Sequence, residues 1–354
     1  MSVVKEGLAR VARGDDLGAD LCASIFRKLM AGEATPGQIG GLLTGLAQKG
    51  ETTEEIGGAA RAMREAALVV PTTRERVIDC CGTGGSGIPR RNVSTAVAIA
   101  AAACGGAVAK HGNRAASSRS GSADVLESLG VNIEASPEVV GRSIDDLGVG
   151  FLFARALHPA MRHAGPVRRE LGFRTIFNLL GPLCNPARVK RQLMGVFDPS
   201  RLEDIARALQ ALGGERAFVV HGFRAGIEPG AAAPPGIDDL SPEGISWVFE
   251  MRGEQIIERR LTPADAGLPE HPLADLAGGE PEENAQAMRE LFDGAEGAYR
   301  TSVQYAGALA LLAGSEDELD SLPAKAEQIG EALSSGAAKD VLARLVDYSH
   351  GRAP

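Results

Sequence analysis

Apolar positions in the first 70 residues recur at helical spacing. Leu21, Ile25, Phe26 and Leu29 form one stripe, Ile39, Leu42, Leu43 and Leu46 a second at i, i+3, i+4 and i+7, and Ile56, Ala59, Ala60 and Met63 a third. The second and third stripes are each preceded by a capping signature, Thr35-Pro36-Gly37-Gln38 and Thr52-Thr53-Glu54-Glu55. In both, a threonine hydroxyl can accept from an unpaired first-turn amide while the Gln or Glu reaches back to the threonine N–H. The pattern predicts a compact unit of about three antiparallel helices.

From Val77 the period changes. Short apolar runs at 77–80, 107–109, 193–197, 216–221 and 245–250 read as strands, with helical runs at 93–104 and 122–129 between them and closing amphipathic helices over 316–347. Such alternation predicts an α/β fold, a mostly parallel central sheet flanked by helices, beside the smaller all-helical domain. Ligands bind such sheets at the carboxyl ends of the strands. Residues 223–236, rich in Ala, Pro and Gly, read as a flexible loop, and no internal repeat is evident.

Composition narrows the function. With 354 residues, 44% hydrophobic, the chain can bury one large core and a smaller one, and with 4% aromatics the filling must come from Ala, Val, Leu and Ile. A net charge of −9 disfavours a dedicated nucleic-acid binder, which needs a basic face. The five cysteines lack Cys-x-x-Cys spacing and read as reduced, buried small residues. The N-terminus has no apolar core of signal-peptide length, and no run suits a membrane span, so a cytoplasmic location is expected.

Against this acidic background two loops concentrate anion-binding groups. Residues 82–95, Gly-Thr-Gly-Gly-Ser-Gly-Ile-Pro-Arg-Arg-Asn-Val-Ser-Thr, join a strand to a helix. Glycines let the backbone approach an anion, and Asn92, Ser94 and Thr95 bring side-chain donors to a helix N-terminus. By itself the run fits equally an ordinary glycine-rich turn. It lacks both the Gly-Lys-Ser/Thr ending of a P-loop and dinucleotide-binding spacing. Residues 110–124 add Lys110, Arg114 and Arg119 among four serines, an asparagine and two glycines. That crowding of cations and hydroxyls suits a phosphorylated sugar.

Three segments together resemble the anthranilate phosphoribosyltransferase family: the Gly-Thr-Gly-Gly loop with Asn-Val-Ser-Thr, the run from Val108 through Lys110-His111-Gly112-Asn113-Arg114 to Leu126, and the stretch from His158 through Arg168 and Arg174 to Pro186. The resemblance runs from about Leu17 to the C-terminal helices. It implies a helical domain of 1–73 with a returning segment at about 167–190, an α/β domain of 74–166 and 191–354, a cleft between them near a hinge, and a homodimer through the helical domain. It implies small-molecule substrates, with transfer of phosphoribosyl from 5-phosphoribosyl 1-diphosphate to anthranilate using two magnesium ions. Its site residues carry over as Gly82, Thr83, Gly84, Gly85, Ser86, Arg90, Asn92, Ser94, Thr95, Lys110, Ser118 and Ser122 for the diphosphate sugar. For the aromatic acid they are Gly82, His111, Asn113, His158 and Arg168, and for metal Ser94, Asp238 and Asp239. Such a reaction needs positioning and charge stabilisation rather than a protein nucleophile.

Taken alone, the Asp pair also fits a solvated turn, and Arg168 a surface arginine. The chain departs from the family pattern where Ser86 replaces an Asp, where Arg90 and Arg91 replace smaller residues, where Asp239 replaces a Glu, and in the inserted loop 223–236. Alternatives are a paralogue with another aromatic acceptor, a nucleoside phosphorylase, or a non-catalytic nucleic-acid-binding paralogue.

Overall fold

The computed structural model describes residues 2–115, 119–227 and 236–352. Four helices open the chain: α1 (Val3–Val11), α2 (Ala19–Met30), α3 (Pro36–Lys49) and α4 (Thr53–Ala66). Both capping boxes form, at Thr35/Gln38 and Thr52/Glu55. The stripes point inward: Ile25, Phe26, Leu29, Leu42, Leu43, Leu46 and Ile56 are fully buried. Glu55 does more than cap. It is buried, accepts from the Leu17 N–H at 2.9 Å and pairs with Lys49 at 2.7 Å, so it ties together the chain entering α2, the end of α3 and the start of α4.

The sheet follows: β1 (Ile78–Gly82), α5 (Val93–Ala103), β2 (Val108–Gly112), α6 (Ser122–Ser128), α7 (Pro137–Leu147), β3 (Val149–Phe153), α8 (Ala154–Leu157), α9 (Gly165–Leu171) and α10 (Phe177–Leu183). Then come β4 (Arg191–Gly195), α11 (Leu202–Ala211), β5 (Arg216–Gly222), β6 (Ser246–Arg252), β7 (Gln255–Leu261) and α12 (Pro281–Phe292). Helices α13 (Ala298–Ala313), α14 (Leu322–Ser334) and α15 (Ala337–Ser349) close the fold.

Strand order is β3-β2-β1-β4-β5-β6-β7. The first five strands in that order are parallel; β6 and β7 are antiparallel. The strands at β1, β2, β4, β5 and β6 fall on the runs read from sequence. β3 and β7 do not. β3, Val-Gly-Phe-Leu-Phe, is buried throughout and has no alternation to mark it, while β7 is an edge strand whose exposed charged residues hide its period.

Alternate residues of the sheet feed two cores. Along β5, Phe218 and Val220 pack under α5 and α12–α15, whereas Ala217 and Val219 face α11 and the N-terminal helices. The returning helices α9 and α10 place Val167, Phe177, Leu180 and Leu183 in that second core. The N-terminal helical unit therefore shares its interior with one face of the sheet. Among the described residues no helix is long and apolar enough to cross a membrane, and all five cysteines are free thiols.

Candidate active site

β1 and β4 lie side by side in register, Ile78 opposite Arg191 through to Gly82 opposite Gly195. Their neighbours lead to opposite sides, β1 towards β2 and β4 towards β5, so the loops at their carboxyl ends part and leave a crevice. β1, β4 and β5 each end in glycine, and the segment carrying Asp238 and Asp239 runs across those ends. A Cβ on Gly195 would strike the Asp238 carbonyl oxygen, and one on Gly222 would come within 2.7 Å of the Asp239 carbonyl. Backbone bonds between Gly222 and Ile237, 2.8 and 3.0 Å, fasten the segment. Fully buried His221 completes the attachment: Nδ1 faces the Val196 carbonyl at 2.9 Å and Nε2 accepts from the Gly236 N–H at 3.2 Å.

The loop after β1 forms one wall. Gly84, Gly85 and Gly87 have φ of 64°, 109° and 67°, the left-handed region that favours glycine. The Gly84 N–H donates to Asp238 Oδ2 at 2.7 Å. Thr83 Oγ1 accepts from the Phe197 N–H at 3.0 Å, tying the loop to the exit of β4. Ser86 Oγ accepts weakly from Ile88 N at 3.4 Å. Helix α5 then starts with no side-chain cap. Asn92 instead bridges outward, towards the Ser120 carbonyl at 3.5 Å and Asn284 at 3.0 Å. Ser94 and Thr95 line the crevice, and among the described residues the buried Thr95 hydroxyl has no partner. An uncapped helix N-terminus with such a hydroxyl suits an anion.

The loop after β2 forms the facing wall. Lys110 is buried and donates to the Cys80 and His111 carbonyls at 2.6 and 3.3 Å. Buried Asp79, which accepts from the His111 N–H and from Asn185, is pushed up by burial and pulled back by Lys110. Ser122 lines the crevice and donates to the Asn113 carbonyl at 3.3 Å; Ser118 lies outside the described residues. Arg114, counted from sequence among the phosphate cations, is committed elsewhere: it pairs with Asp124 at 3.1 Å and Glu127 at 2.7 Å, fastening the loop to α6.

A second hollow adjoins the first and is lined by Gly82, His111, Asn113, His158 and Arg168, all five residues assigned to the aromatic acid. The His111 and His158 rings lie 5.2 Å apart. Among the described residues each leaves a buried Nε2 without a partner, although His111 Nδ1 faces the Gly181 carbonyl at 3.1 Å. Burial pushes His111 down to about 3 and His158 to about 4, so both are neutral at pH 7. Arg168 lies over the Phe177 ring at 5.0 Å and, among the described residues, has no ion pair. A half-buried guanidinium with no ion pair among the described residues, beside neutral imidazoles, suits a carboxylate.

Two residues that sequence reasoning left without a role also reach the site. Asn178 lines both hollows, and Arg174 packs against Gly85, donates to the Thr83 carbonyl at 3.5 Å and lies 5.5 Å from the Phe197 ring centre. No local spacing rule finds them, since both act across some 90 residues of chain.

Asp238 and Asp239 face the phosphate loop. Arg90 pairs with both, Nη2 to Asp238 Oδ1 at 2.8 Å and Nη1 to Asp239 Oδ2 at 3.7 Å. Burial pushes Asp239 up to about 6, opposed by Arg90 and by the Leu240 N–H. Among the described residues no group of three His, Cys, Asp or Glu forms a metal cage. Two adjacent carboxylates beside an anion cradle nevertheless fit a hard cation whose remaining ligands are diphosphate and water oxygens.

Residues 5–67 match the glycosyl transferase family helical bundle domain and residues 74–339 its a/b domain. Anthranilate phosphoribosyltransferase of Parvibaculum lavamentivorans is 47% identical over 99% of both chains. The crystal structure of anthranilate phosphoribosyltransferase from Thermus thermophilus superposes with a TM-score of 0.89 at 45% identity, covering 99% of this chain and 100% of that one. The Saccharomyces cerevisiae enzyme in complex with PRPP and Mg shares the fold, with a TM-score of 0.87 at 24% identity over 98% of each chain.

Proposed function

The chain belongs to the anthranilate phosphoribosyltransferases, and from that premise we propose that it transfers phosphoribosyl from 5-phosphoribosyl 1-diphosphate to the amine of anthranilate. The carrying observation is the pair of adjoining hollows, which share Gly82, Thr83, His111, Asn113 and Asn178. One is lined for diphosphate, the other for an aromatic acid. Their junction brings amine nitrogen and anomeric carbon together.

The chain's contribution is to hold and orient. The glycine loop and the uncapped start of α5 receive the departing diphosphate, and magnesium on Asp238 and Asp239, when bound, offsets its charge. Arg168 grips the carboxylate of the acceptor, and neutral His111 and His158 flank the ring without repelling the developing positive charge at the sugar. The new N–C bond forms as the C–O bond to diphosphate breaks, and the amine proton leaves to solvent. An aryl amine is already neutral at pH 7, so no strong protein base is required. The Arg168 site favours an acidic acceptor over a pyrimidine.

Supported by the resemblance are two metal ions, a homodimer through the N-terminal helices, a cytoplasmic location, and a helical domain of 1–73 with 167–190 beside an α/β domain of 74–166 and 191–354. A fluorescence assay following anthranilate loss with 5-phosphoribosyl 1-diphosphate and magnesium tests the activity. No consumption at saturating substrates overturns it.

A further inference from the structure

The Arg90 side chain is 12% exposed, beside carboxylates 10% and 18% exposed. Its position is imposed by the backbone. Arg90 forms a bridge with Ala277, the Arg91 N–H donates to the Leu276 carbonyl at 2.9 Å, and the Gly278 N–H to the Pro89 carbonyl at 3.1 Å. A Cβ on Gly278 would meet the Arg90 backbone, so the two segments lie as close as glycine permits. The guanidinium is thereby delivered to the acidic pair from the α5 end of the phosphate loop, held there by a segment outside it. Its third nitrogen is idle: Nε is buried and, among the described residues, has no partner.

Together these facts describe a cation already seated between two carboxylates that a divalent ion would need, with its Nε–H left for an anion. We propose that Arg90 is a resident counter-ion on the Asp238–Asp239 pair that a divalent cation must displace, and that diphosphate, by drawing the guanidinium to itself, opens the seat. This deepens the reading above and rests on it. A guanidinium matches phosphate oxygens bidentately at least as well as it matches a carboxylate, so the exchange is between like bonds. The consequence is order. Metal binds weakly at the pair before diphosphate arrives, and the loop, with Ser86 in place of an acid, does not depend on a metal to shield it.

The test omits both substrates. Mn2+ is titrated into the native chain and into Arg90→Gln, with the free-ion electron paramagnetic resonance signal as readout. Removing a unit positive charge within 4 Å of both carboxylates should tighten Mn2+ binding at least about tenfold, and Arg90→Gln/Asp238→Asn should abolish the gain. Equal affinity in native and Arg90→Gln overturns the proposal. Should Arg90→Gln fail to fold, Arg90→Lys decides: loss of the fork should raise affinity several-fold, and no change overturns the proposal. Because no turnover is measured, a failed transferase assay and a failed titration are separate results.

Discussion

Arg168 and Arg169 are chain neighbours on one short helix, yet one is half-buried over Phe177 and the other is exposed. Arg168→Ala should therefore raise the anthranilate KM by on the order of 30-fold to several-hundred-fold, the roughly 2–4 kcal/mol expected when one partner of a bidentate ionic pair is removed. The KM for 5-phosphoribosyl 1-diphosphate should hardly move, and Arg169→Ala should leave both alone. Equal rises for the two substrates would sink the assignment. The buried imidazoles lead to a pH effect. Unfolded, they take a proton near 6.5; folded, His111 does so at about 3 and His158 at about 4. The unfolded chain binds more protons below 6.5, so stability is lost as pH falls from there towards the folded values, by about 1.4 kcal/mol per unit for each group. His158→Gln should shrink the fall in urea midpoint between pH 7 and pH 5, and an unchanged fall would count against neutral burial. At this scale the sequence exposed residue types and their motif positions. It did not expose partners: nothing near Lys110 announces that its ammonium turns to the Cys80 carbonyl, or near Arg114 that α6 claims it.

At the level of elements, glycine separates structural slack from functional contact. Gly57 in α4 has a helical backbone and open space where a methyl group would sit, so Gly57→Ala should stabilise by about 0.5–1 kcal/mol. Gly195→Ala places a methyl on the Asp238 backbone and should cost roughly 1–3 kcal/mol. It should also lower transferase activity by displacing the acidic pair. Thermal unfolding and the transferase assay on both variants check this; an active, unshifted Gly195→Ala would show that the Asp segment yields freely. The helical stripes and capping boxes were legible because 3.6-residue periodicity and N-cap chemistry are local. β3, wholly buried, and β7, at an exposed edge, lack the alternation that marks a strand with one face in water.

Across the whole molecule, the core under α1–α4 continues through α9, α10 and α11 to the β4–β6 face of the sheet. Arg64 adds polar ties, donating from α4 to the Leu183 and Leu212 carbonyls at 2.6 and 3.2 Å. The N-terminal helices should not melt alone. Urea unfolding followed by fluorescence of Trp247, on β6, and by far-UV circular dichroism should give coincident transitions; an earlier dichroism step would refute the shared core. The pairing of β1 with β4 has a further consequence, in the time order of synthesis. Gly82 leaves the ribosome long before Gly195, and the Asp pair later still, so at about 5–20 residues per second the phosphate loop exists for on the order of ten seconds without the strand end beside it and the carboxylates it faces. Late in that interval the nascent chain already holds every residue that lines the acceptor hollow, the last being Pro182, but lacks the acidic side of its diphosphate crevice, so only a protein made past Asp239 can be steadied by a metal-bound diphosphate.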